Sequence, residues 1–250
     1  MGYRPPQAFD PCLSLGGQAI SYIGTSPIKF LGYTIQVPLA TDIIRNKLLD
    51  KLKKMLQQVD EIPVTRHQKL LLYRAAICPR LNWDLAVNDL PLSWVTNKLE
   101  AEATKYLKKW SGLAKPADTS RLYLPKPYGG LGLPAISLLF KKQQISQACQ
   151  ILTSHDPIIR HTATIRTQQE ESLQRPKLKP MLAARDALKE NPGANGKKVR
   201  KRAKTAVVMA DAETRLEHAK SLQHQGELFR SVEDGEASSA WSSAVLSLPP

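Results

Sequence analysis

A helical rhythm of apolar residues running from Ile44 to Trp110 leaves this chain few architectures to choose from. Ile44, Leu48, Leu52, Met55 and Val59 recur at spacings of four and three, which places them on one face of an α-helix. Thr41 is a suitable N-cap, Asp42 favours the first turn, and Pro63 breaks the run. Thr65 caps a second predicted helix from Arg66 to Cys78, with Leu70, Leu71, Tyr73, Ala76 and Ile77 apolar and Pro79 ending or kinking it. A third runs from Pro91 to about Trp110, with Val95, Leu99, Ala103, Tyr106 and Trp110 inward and Gly112 placed to stop it. Three amphipathic helices on short links predict a small bundle. Trp83, Trp94 and Trp110 sit at helical spacing with other apolar residues and are expected in its core.

The flanks read differently. Residues 1–38 hold short β-like pieces punctuated by Pro5-Pro6, Pro11 and Gly16-Gly17. A strand around Ala19–Ile23 is expected to pair with Ile28–Val37, where Phe30, Tyr33 and Ile35 suit a pleated surface and Gly32 permits a bulge or a close approach. A lone hairpin is marginal in water, so this one is expected to be the edge of something larger. Residues 113–134 read as a loop or hairpin. Gly129, Gly130 and Gly132 make no phosphate loop, since no Lys-Ser/Thr follows and no parallel-strand unit precedes them. Pro134 opens a helix through Leu152, and Asp156-Pro157 another to about Leu173. From Arg175, Pro and Gly punctuation marks a linker that contains Lys197–Lys204, a helix over Ala206–Leu222 and a loose acidic end. The expected fold is therefore mostly α: a β-hairpin (1–38), a three-helix bundle (39–112), a loop-and-helix extension (113–174), and a linker with a partly disordered tail (175–250).

Charge narrows the partners. The chain carries 36 Lys and Arg against 22 Asp and Glu, a net +14, yet residues 205–250 hold 3 against 7. The positive balance thus belongs to the body and suggests a polyanion. Nucleic acid is preferred to membrane, because no helix carries a lipid-seeking aromatic face and no apolar run reaches spanning length. Cys12, Cys78 and Cys149 lie too far apart for a metal site and fit a reducing, intracellular compartment, nuclear or cytoplasmic. The start, Met-Gly-Tyr-Arg-Pro-Pro, is not a signal peptide. Six of the eight residues Lys197–Lys204 are basic: Lys197, Lys198, Arg200, Lys201, Arg202 and Lys204. Such a run serves as a localisation signal, a nucleic-acid arm or a solvated helix start. It is expected to be separable from the fold.

Several short motifs, in order, carry a resemblance. Cys12-Leu13-Ser14-Leu15 and Lys29-Phe30-Leu31-Gly32 resemble the end of the reverse-transcriptase palm in non-LTR (LINE-type) retrotransposon polyproteins. His67-Gln68-Lys69-Leu70, Pro79-Arg80-Leu81-Asn82-Trp83, Lys109-Trp110-Ser111-Gly112-Leu113, Leu122-Tyr123-Leu124-Pro125 and Gly129-Gly130-Leu131-Gly132-Leu133-Pro134 resemble the thumb of the same family. The likeness spans about residues 10–152 and weakens towards Gln225-Gly226-Glu227-Leu228, which looks like the linker of site-specific elements.

The resemblance implies a primer-grip role for Lys29, Phe30, Leu31 and Gly32. It also implies that the thumb helices lie along an RNA or RNA/DNA template–primer duplex, through Lys47, Lys51, Lys54, Lys98 and Lys105. Polymerisation in that family needs an Asp-Asp pair and a further Asp to hold Mg²⁺, and this chain has no adjacent Asp-Asp. Asp42, Asp50, Asp60, Asp84 and Asp89 are scattered on predicted helices. The chain is therefore expected to be a non-catalytic palm-edge, thumb and linker fragment, inactive alone and without a cofactor of its own. Two alternatives remain open: a domesticated or pseudogene-derived nuclear interaction protein without duplex binding, and a truncated gene model of an active RNA-directed DNA polymerase.

Overall fold

A computed structural model describes residues 41–88, 90–161, 196–222 and 229, together with the backbone of 14–15, 18–19, 28–30 and 33–35. The chain divides into two compact units, residues 1–47 and 48–250. In the first, β1 (Ser14–Leu15) pairs antiparallel with β2 (Gln18–Ala19), and β3 (Ile28–Phe30) with β4 (Tyr33–Ile35). Of the stretch expected to pair with residues 28–37, Ala19 pairs with Ser14 instead, and residues 20–23 lie outside the described residues. Each short strand takes its immediate neighbour, which closes the smaller loop at lower entropic cost. Phe30 stands opposite Tyr33, while Leu31 and Gly32 lie outside the described residues.

The described part is mostly helical. Helix α1 (Thr41–Glu61) buries Leu48, Leu52, Met55, Leu56 and Val59 on one face. Past Pro63, Thr65 and Gln68 form a capping box: the Thr65 hydroxyl accepts from the Gln68 amide, and the Gln68 side chain accepts from the Thr65 amide. Helix α2 (Arg66–Leu72) does not stop at Pro79. It passes through a π-type turn at Tyr73–Ile77 into α3 (Cys78–Val87). In that turn the Cys78 amide donates to the Tyr73 carbonyl, five residues back. The wider register skips one helical bond, and Pro79, which has no N–H to donate, comes next without breaking the helix.

The third helical run has the same construction: α4 (Leu92–Trp94), a π-type segment Val95–Glu100, then α5 (Ala101–Ser111). It ends at Gly112, whose φ of 72° only glycine adopts without strain. Val95, Leu99, Ala103, Leu107 and Trp110 are buried along it. Trp83 departs from expectation at 57 % exposed, and Trp94 is only half-buried. The buried residues of α3 are Cys78, Leu81 and Leu85, and position 83 falls on the other side of that helix.

The three-helix bundle shares its core with residues beyond Gly112. Leu122, Tyr123, Leu133, Ala135, Ile136 and Phe140 join the cluster that holds Leu52, Tyr73 and Leu99, so residue 112 marks no break in packing. The 113–134 stretch folds as a compact knot. It contains α6 (Ser120–Tyr123) and backbone bonds from Leu131 to Arg121, Gly132 to Leu124 and Leu133 to Leu122. Gly130 lies so close to the 122–124 backbone that a Cβ would stand 1.9 Å from the Leu124 carbonyl oxygen. Helix α7 (Ile136–Leu152) follows, and residues 157–161 are helical as expected after Asp156, while 162–173 lie outside the described residues.

The basic run corrects the expectation of a separable arm. Lys197–Lys204 forms the first turns of α8 (Gly196–Ser221), which packs along α7. Val199 and Ala203 are buried against Ile145, Ala148 and Cys149. Val199 and Ala203, four apart, put two small apolar side chains on the side of a cationic helix that meets α7. Farther along, Ala219 meets Leu124 and Phe229. The acidic stretch expected to be loose, 231–243, lies outside the described residues.

Candidate nucleic-acid interface

The cations proposed from sequence fall into two groups. Lys54 and Lys98 are exposed, and neither has an ion pair among the described residues. Lys47, in the first unit, is likewise exposed on α1. Lys51 and Lys105 are already engaged. Lys51 Nζ lies 2.6 Å from Asp84 Oδ2 and donates to the Arg80 carbonyl, joining α1 to α3. Lys105 pairs with Glu102 at 2.7 Å. An anion at either position would first have to displace a carboxylate that is already there. Lys29 and Phe30 are described in backbone only.

Two acid-centred hubs hold the helices that carry these cations. At the first, Asp60 near the end of α1 accepts from Lys109 Nζ (2.7 Å) and from the Trp110 indole N–H (2.8 Å). Lys69 donates to the Asp60 carbonyl and stands 4.0 Å from its carboxylate. The bonds from Lys109 and Trp110 hold the Asp60 carboxyl below its ordinary range, against a smaller opposing effect of burial.

The second hub is buried. Helix α7 begins after Ala135, which offers no side-chain cap. Glu100 supplies the missing acceptor from across the bundle: its Oε2 takes the Ser137 amide at 2.7 Å. Arg215 of α8 reaches Glu100 Oε1 (3.4 Å), Ser137 Oγ (3.3 Å) and Asp211 Oδ2 (2.7 Å). Asp211 also takes Lys141 Nζ at 2.9 Å. The guanidinium lies 4.9 Å from the centre of the Tyr123 ring. Thr104 Oγ1 donates to the Glu100 carbonyl, so the Tyr123 phenol, 2.6 Å away, donates to Thr104. Burial pushes the Asp211 carboxyl up, but bonds from Arg215 and Lys141 outweigh it and hold the group below its ordinary range.

Sequence reasoning assigned no role to Glu100, Asp211, Arg215 or Tyr123. The Asp211–Arg215 spacing of four was readable as a helical ion pair, but its third partner, Glu100, is 115 positions away. Among the described residues, no three His, Cys, Asp or Glu side chains gather, and no helix is long and apolar enough to cross a membrane.

On the outer side of α8, Lys197, Lys198, Lys201 and Arg202 are exposed, while Arg200 and Lys204 are half-buried. Arg200, Lys201 and Lys204 face Lys142 of α7. No family model, curated protein or solved structure matches this chain.

Proposed function

We propose that this protein binds a nucleic-acid duplex without catalysis, in the manner of a reverse-transcriptase thumb. Phosphates would be held by Lys54 and Lys98, with Lys47 assigned alongside them from the sequence. The observation that supports the reading is the cation distribution on α1. Leu48, Leu52, Met55, Leu56 and Val59 are buried on one face, while Lys54 stands exposed with no carboxylate partner among the described residues. Such cations contact the backbone of an A-form-like duplex by charge and shape, which requires no base-specific geometry. The hairpin bearing Lys29, Phe30, Leu31 and Gly32 is proposed as the palm-edge element that holds a primer end. Lys51 and Lys105 are placed second to the unpaired lysines. No polymerase step is assigned to the chain, whose sequence contains no adjacent Asp-Asp.

The test is binding of an RNA/DNA template–primer duplex across a salt series. Each phosphate neutralised contributes roughly 0.9 to the log–log slope on B-form DNA, and a duplex of this kind is expected to behave similarly. Changing Lys54 and Lys98 to Gln should flatten the slope by about two units. An unchanged slope would remove this surface from the interface.

A further inference from the structure

Lys141 and Lys142 are neighbours on α7 with opposite employment. Lys141 is tied to Asp211 in the buried hub. Lys142 lines a groove of about 380 Å³ together with Arg200, Lys201, Lys204 and Thr205 of α8. Lys142, Arg200, Lys201 and Lys204 have no acidic partner among the described residues. The proximity is felt: partial burial lowers the Lys204 pKa, and repulsion from Arg200 and Lys142 lowers it further.

Like charges are brought together here by apolar packing beneath them, at Val199, Ala203, Ile145 and Cys149, and by the Arg215 hub farther along. A helix that only needed a solvated basic face would spread its cations; this one concentrates them against a second helix.

We propose that the groove built jointly by α7 and α8 seats consecutive phosphates of a single nucleic-acid strand. The inference requires neither a duplex nor the α1 surface, and the two readings fail separately. Three features select this ligand. Lys201 and Lys204 rise about 4.5 Å apart along one helix, which presents charge in a row to a linear polyanion. Lysine predominates over arginine, which suits point-charge contact with phosphates more than the forked recognition of carboxylates. The lining residues include no aromatic side chain of the kind that anchors a basic helix in a lipid interface.

The experiment uses the full chain and a short fluorescein-labelled oligothymidylate, followed by anisotropy across a salt series. Replacing Lys142, Lys201 and Lys204 by Gln should flatten the slope by about two units, at roughly 0.7 per phosphate on a single strand. Replacing Lys115, Lys126 and Lys198, an equal charge change at exposed positions outside the groove, should flatten it by less than about one unit. Equal losses in the two triples would overturn the proposal, because the chain would then be acting as a diffuse polycation. Ala203→Gln alters no charge but wedges the interface between α8 and α7. It should reduce binding as far as the groove triple does, and full binding by a folded Ala203→Gln protein would show that docking is unnecessary. Should that variant unfold, the two lysine triples, all at positions outside the buried core, decide alone. Tighter groove-dependent binding to phosphatidylserine vesicles than to the oligonucleotide would replace the proposal with a lipid surface.

Discussion

The Asp60 hub and the Glu100 hub use the same chemistry, a carboxylate gathering cations and neutral donors from other helices, under different solvation. Asp60 is partly open, with a side chain about one-fifth exposed, and its partner Lys109 is mostly in water. Glu100 and Asp211 are nearly sealed, and Arg215 is mostly covered. An exposed pair loses little when one partner goes, since water replaces it. A buried pair leaves an unsolvated charge behind. The inner hub therefore decides whether α7 and α8 stay docked, while the outer one trims the ends of α1, α2 and α5.

Substitutions can break that contrast, the largest effect coming from the inner hub. Arg215→Ala should cost about 3–5 kcal/mol, because Glu100 and Asp211 lose a shared partner in a buried site. Chemical denaturation measures it, and a loss below about 1 kcal/mol would show that water already reaches this hub. Asp60→Ala should cost about 1–3 kcal/mol, chiefly by stranding the buried Trp110 indole N–H. Asp60 also carries a pH signature. Its carboxyl is more acidic folded than unfolded, so the stabilisation it confers is fully present above about pH 4 and disappears as pH falls through the lower folded value. Denaturation midpoints of wild type and Asp60→Ala should therefore converge on acidification; parallel curves would contradict the assignment. Lys51→Gln should change stability least, below about 1 kcal/mol, since its bond to Asp84 is half in water. A larger loss would place the α1–α3 contact with the inner hub.

The basic run illustrates where a sequence reading stops. Six cations in eight residues, preceded by Pro and Gly, carry every local mark of a free arm. Only Val199 and Ala203 betray the docking, and their partners Ile145, Ala148 and Cys149 lie some fifty residues earlier. The lysines of α1 divide for the same reason: Lys54 and Lys51 look alike in sequence, yet Asp84 on another helix claims one and leaves the other.

Much that depends on neighbours three or four residues apart was legible in the sequence. The buried face of α1, Thr65 as a helix cap, the stop at Gly112 and the start of α7 near Pro134 are all of this kind, because caps and amphipathic faces are complete within one or two turns. Long-range packing settled the passage through Pro79, where a π-type turn absorbs the missing donor. It also settled the exposure of Trp83, the capping of α7 by Glu100, and which cations remain without a carboxylate. Those outcomes rest on which distant group fills a shell of a few ångströms, and local periodicity carries no record of that.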